Sequence, residues 1–234
     1  VEFLPLDLAD LASVRAAARE ALDRAAIIQS VYETRADLAD GLLGPALPYA
    51  AGLRETDEYR QLLSQRAEPA KVQDVEITLG TFTDRAELPE VVVILQQQLE
   101  AAGFIVKQDV REYQYIEADA LDGAFDAFIL SRATVLDSGD PVAYFASDFT
   151  CEGGFAIAQL CDKDVEQAIN RAAQTDAGEQ RQQQIMLAEA RILGTDAAIP
   201  LLHERVIQGE SPAVHDAAQD PRERELVTAQ TRLG

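Results

Sequence analysis

Between Val75 and Val110 the sequence changes its hydrophobic period twice, and this restricts the fold more than any other feature. The stretch VEITLGTF (75–82) alternates like a β-strand. Glu87 to Gly103 then carries apolar residues at helical spacing, with Gly103 placed to cap its C-terminus. FIVKQDV (104–110) alternates again. A strand, a helix and a strand of these lengths imply a parallel pair joined by a right-handed crossover. The expected fold class is therefore α/β.

The flanks extend this pattern. Ala12 to Tyr32 reads as helical with a break near Asp23, and Asp10 or Ser13 could cap its start. Gly41 to Gly52 is rich in Gly and Pro and reads as a loop. Glu55 to Gln65 reads as a short helix, and Glu68 to Asp74 as a polar linker. Tyr113 to Leu121 reads as a weaker helix and Phe125 to Leu130 as a third strand. Further helices are expected over Val142 to Phe149, Asp164 to Gln174 and Ala177 to Ile192. An apolar strand is expected over Ala198 to Val206, and a last strand over Leu226 to Ala229. Three segments follow: a helical segment and loop at 1–66, an α/β segment at 67–195, and a C-terminal strand and tail at 196–234.

The formal net charge of −21 disfavours nucleic acid and anionic lipid as partners. Such acidity serves solubility or salt adaptation, and it also suits cationic ligands. No apolar run reaches the roughly 18 residues of a transmembrane helix. The chain opens VEFLPLDLADL, with neither an initiator Met nor a signal-peptide pattern, as expected of a piece of something longer.

Catalytic motifs are missing from the sequence: there is no GxSxG, HExxH, P-loop or GxGxxG. The chain is read as a protein that performs no chemistry and needs no cofactor. His203 and His215 stand apart from any cysteine, so each is assigned a structural or surface role and no metal site is expected. Cys151 and Cys161 flank a Gly-Gly turn and do not form a CxxC motif. Their spacing suits a disulfide closing a small loop, which implies an oxidising compartment. Two free buried thiols are the other reading. In LDSGDP (136–141), Asp140 before Pro141 reads as a helix cap. Asp137 could serve the turn or a ligand, since it lies just past a buried strand, where α/β sheets bind ligands.

Several stretches together resemble the family 5 extracellular solute-binding proteins, the dipeptide, oligopeptide and nickel receptors of ABC importers. They are SVRAAAREALDRAAIIQSVY (13–32), TDRAELPEVVVILQQQLEAAGF within 75–104, the strand and loop from Phe125 to Pro141, the two-cysteine stretch from Phe149 to Asp164, and AIPLLH (198–203). Their order and spacing agree with the family along almost the whole chain.

The resemblance implies one lobe of a two-lobed (type II) periplasmic-binding-protein clamp, with a mixed sheet flanked by helices. It implies an extracytoplasmic protein, lipid-anchored in its full-length form. Its partners would be a small peptide or similar solute, the membrane subunits of an importer, and an N-terminal lobe of the same protein. By the resemblance, Asp137 matches the carboxylate that pairs with a peptide's α-ammonium. The loop holding Ser131, Arg132, Ala133 and Thr134 would line the cleft. Arg132 either meets a ligand carboxylate or lies on the surface. Nickel complexes, sugars or opines are alternative ligands on the same fold, and a structural or interaction domain is a further alternative.

Overall fold

The computed structural model describes residues 11–135, 139–205, 207–220 and 225–234. Helices α1 (Leu11–Ala21) and α2 (Arg24–Ser30) are separated at Asp23. Asp23 breaks the first helix and caps the second, its carboxylate accepting the Ala26 N–H at 3.0 Å. Strand β1 (Ala36–Leu38) follows. The segment expected to be a loop through Gly52 is one only as far as Leu47, because Pro48 starts helix α3 (Pro48–Arg54). Proline suits a first helical position, where its missing N–H would have no helical partner. Thr56 then caps α4 (Asp57–Leu63).

The period changes at the centre of the chain become β2 (Val75–Phe82), α5 (Leu88–Ala101) and β3 (Phe104–Arg111). The two strands pair in parallel, from Val75 opposite Phe104 to Phe82 opposite Arg111. One stripe of α5 (Leu88, Val91, Val92, Leu95 and Leu99) is buried, as the helical period requires. Gly103 ends the helical stretch at φ +106°, where a Cβ would lie 2.4 Å from the Val72 carbonyl oxygen. Only glycine fits there.

Helix α6 (Tyr113–Leu121) crosses back to β4 (Ala127–Phe128), which pairs in parallel with the other side of β2. The sheet order is β3-β2-β4. Hydrogen bonds from Asp126 N to Thr78 O (3.1 Å) and Ile129 N to Gly80 O (2.9 Å) extend the pairing over much of the expected third strand.

Helices α7 (Pro141–Asp148), α8 (Lys163–Gln174) and α9 (Glu179–Gly194) complete the helical layer. Asp140 caps α7, accepting the Val142 N–H at 3.0 Å with Pro141 in the first turn. Within the apolar 198–206 stretch, β5 (Leu202–Glu204) pairs antiparallel to β1, and bonds from Ala39 N–H to Leu201 O and from Arg205 N–H to Arg35 O extend the pairing by a residue on each side; Val206 lies outside the described residues. The last strand expected at Leu226 to Ala229 does not form. There, Thr228 bonds locally to Thr231 and Gln230, and side-chain bonds of this kind compete with a strand ladder. The pairing falls instead between β6 (Val214–His215) and β7 (Arg232–Leu233).

Two apolar cores result among the described residues. One gathers Leu79, Val91, Leu95, Phe104, Val106 and Ile116 around the parallel sheet, with Ile27 from α2. The other gathers Leu43, Tyr59, Phe145, Ile169, Met186 and Ile192 among the remaining helices. Each core draws on more than one of the three segments expected from the sequence.

His203 sits on β5 opposite Asp37, against Gly44. Burial first, and then the nearby Arg54 charge, lower its pKa below 6.5. The unfolded chain therefore binds the proton more readily than the folded one, so protonation favours unfolding. Unfolding free energy should fall as pH drops below 6.5, and urea titrations of His203→Asn should show a shallower fall. An identical pH slope in both proteins counts against this account.

Candidate ligand-binding site

The carboxyl ends of the three parallel strands open onto one cavity of about 320 Å³. This is the edge where an open α/β sheet places ligands. β2 supplies Phe82 and, just beyond it, Asp84 and Arg85. The first residue of α6, just after β3, supplies Tyr113. β4 and its exit supply Phe128, Leu130, Ser131 and Arg132. The last wall is Phe155 and Ile157, carried on the loop closed by the Cys151–Cys161 disulfide, whose Cα atoms lie 4.5 Å apart.

Local chemistry fixes each wall. Asp84 accepts the Tyr113 N–H at 2.7 Å, which joins the end of β2 to the start of α6. Phe82 packs edge-on to Tyr113 with ring centroids 5.1 Å apart, and stacks at 6.5 Å on Phe128. Tyr113 donates to Glu117 at 2.5 Å. Burial, and then this hydrogen bond, push its phenol up to about 12, so it remains a donor at neutral pH.

Arg85 is held between Glu87 (2.8 Å) and Glu204 (2.6 Å). Arg132 makes a two-pronged ion pair with Asp148, at 2.8 and 2.7 Å, while its guanidinium lies 4.2 Å from the centroid of the Phe155 ring. The hydrogen bonds to Asp148 raise its pKa, more than burial lowers it. Both arginines of the wall are thus already paired with protein carboxylates.

Ser131 and Arg132 thus reach the cavity. Ala133 and Thr134 are not among its lining residues; Ala133 is exposed and Thr134 half-buried. Asp137 lies outside the described residues, and its flanks are tied together by Gly139 N–H donating to Val135 O at 2.8 Å. The sequence reading missed Asp84, Arg85, Tyr113, Phe155 and Ile157. The strand-end rule that pointed to the exit of β4 also points to the exits of β2 and β3. Among the described residues no group of three or more His, Cys, Asp and Glu could hold a metal ion, and no helix is long and apolar enough to cross a membrane.

Comparison with solved structures places this architecture. A dipeptide-binding protein from Pseudoalteromonas sp. SM9913, solved with Met-Leu, superposes with a TM-score of 0.74 at 19% identity, over 96% of this chain and 46% of that one. HbpA2 from Haemophilus parasuis gives 0.74 at 20%, over 95% and 45%. A nickel ABC transporter structure from Bacillus halodurans gives 0.71 at 21%, over 95% and 49%. The chain spans about half the length of these proteins, and its fold is that of one lobe of a type II binding protein. No curated protein sequence matches it. The profile of bacterial extracellular solute-binding proteins, family 5 (middle region), matches residues 7–156. With most of its length covered by that profile, the chain belongs to the family 5 bacterial extracellular solute-binding proteins.

Proposed function

We propose that this chain is one lobe of an extracytoplasmic receptor that captures a small peptide and delivers it to an ABC importer. The carrying observation is the cavity at the carboxyl ends of β2, β3 and β4, walled by aromatic rings and by the 131–132 segment that leads toward Asp137. The similarity to a protein solved with the dipeptide Met-Leu supports a peptide as ligand. The other lobe, the lipid anchor and the importer subunits belong to the same proposal. The protein performs no chemistry in this role: it orders a ligand and excludes water around it.

Asp137 is the proposed partner of the peptide α-ammonium, with Ser131 and Arg132 on the adjoining wall and Ala133 and Thr134 in the connecting segment. A charge-assisted hydrogen bond in an enclosed cleft contributes about 1.5–3 kcal/mol. In the two-lobed protein, Asp137→Ala should therefore weaken binding of free dipeptides by about tenfold or more. N-acetylated dipeptides, which lack the ammonium, should bind weakly to both forms and change little. Calorimetric titration checks this. Equal weakening for both peptide types would remove Asp137 from the role, and binding of neither type by the native protein would remove the peptide reading itself.

A further inference from the structure

The three charged residues on the cavity wall are not in equal states. Arg85 is shared by Glu87 and Glu204, and Arg132 is gripped by both oxygens of Asp148. Asp84 accepts one backbone N–H through Oδ2, from Tyr113, and no cation among the described residues pairs with it. It stands beside Phe82, Tyr113 and Phe128, whose rings form a continuous apolar surface. The wall and its immediate partners therefore carry more carboxylates than guanidiniums, and the carboxylate left open faces the cavity.

An alkyl chain packs well against aromatic rings, and a cation at its end gains from both a carboxylate and the ring faces. An anionic side chain would meet Asp84, while the charges of both wall arginines are already balanced by protein carboxylates. We propose that the cavity selects a basic ligand side chain, with a lysine- or arginine-like stem along the Phe82–Phe128 wall and its cationic head on Asp84. This inference rests on the reading of the cavity as the peptide site, and it adds a second cation contact distinct from the α-ammonium contact proposed for Asp137.

The test titrates the two-lobed protein with Ala-Lys, Ala-Arg and Ala-norleucine, the last having the lysine stem without its ammonium. The expected result is a preference of about tenfold or more for the two basic peptides over Ala-norleucine. In Asp84→Asn the preference should shrink to about twofold, through loss of affinity for the two basic peptides. The asparagine amide oxygen can still accept the Tyr113 N–H, so the start of α6 is preserved. Binding of all three peptides without discrimination, or discrimination that survives in Asp84→Asn, overturns the Asp84 assignment and leaves the peptide receptor standing. Failure of the native protein to bind any of the three overturns both.

Discussion

Glu189→Ala is expected to cost about 3–5 kcal/mol of stability. Glu189 lies in the middle of α9 with none of its surface exposed. Its carboxylate accepts from Arg54 Nε and an Arg54 terminal nitrogen at 3.0 and 2.8 Å, from the Tyr59 hydroxyl at 2.8 Å, and from Leu43 N–H at 2.8 Å. Arg54 also donates to the Leu43 carbonyl at 2.6 Å. One carboxylate thus fastens α3, α4 and the 41–43 turn to α9. Removing it strands a guanidinium that is only 12% exposed. It also frees a backbone N–H and a phenol that burial, and then the Glu189 charge, hold in the protonated form. Glu189→Gln keeps acceptor capacity and should cost less. The double change Arg54→Met with Glu189→Leu removes both charges and should recover much of the loss. Urea unfolding midpoints measure all three. A cost below about 1 kcal/mol for the alanine variant would mean the network does not hold these elements together.

Nothing in the local sequence distinguishes Glu189 from other helix carboxylates. Its neighbourhood, LAEARIL, is amphipathic, and a charge on such a helix ordinarily faces water. Its partners lie more than a hundred residues away in sequence, so only the packing of α3 and α4 on α9 reveals it. The same limit hid α3: it is a seven-residue helix with Pro48 at its start and Gly52 inside, and local propensity argues against it. The parallel unit was legible for the opposite reason. Its evidence is periodicity within β2, α5 and β3, and a right-handed crossover follows from chain sterics. Asp140 was legible too, because a cap and its helix are adjacent in sequence. The site was half legible. The exit of β4 could be picked out as polar residues after an apolar run, but the opposite wall is assembled from the ends of two other strands and a disulfide-closed loop. Arg132 shows the difference most clearly: its place after β4 was readable, and its commitment to Asp148 was not.

That commitment makes Arg132→Ala the second large-effect change, one that should reduce stability and ligand binding together. Asp148, at the end of α7, keeps only 8% of its side-chain surface exposed, and Arg132 keeps 32%. Losing the arginine leaves a nearly enclosed carboxylate with no counter-charge. The cost should be about 2 kcal/mol, less than for a fully enclosed pair because water already screens part of the guanidinium. The same side chain lies over the Phe155 ring and so holds the disulfide-closed loop against the exit of β4. Without it Phe155 and Ile157 lose support as a cavity wall, so affinity of the two-lobed protein for the proposed dipeptide ligand should fall by about tenfold even though Arg132 spends its hydrogen bonds on Asp148. Arg132→Lys separates the two roles. A lysine restores a positive charge near Asp148 but cannot make two parallel hydrogen bonds or lie flat on a ring. It should return part of the stability and little of the affinity. Full rescue of binding by lysine would show that the cavity needs a point charge there, and that the stacked guanidinium is not what positions Phe155.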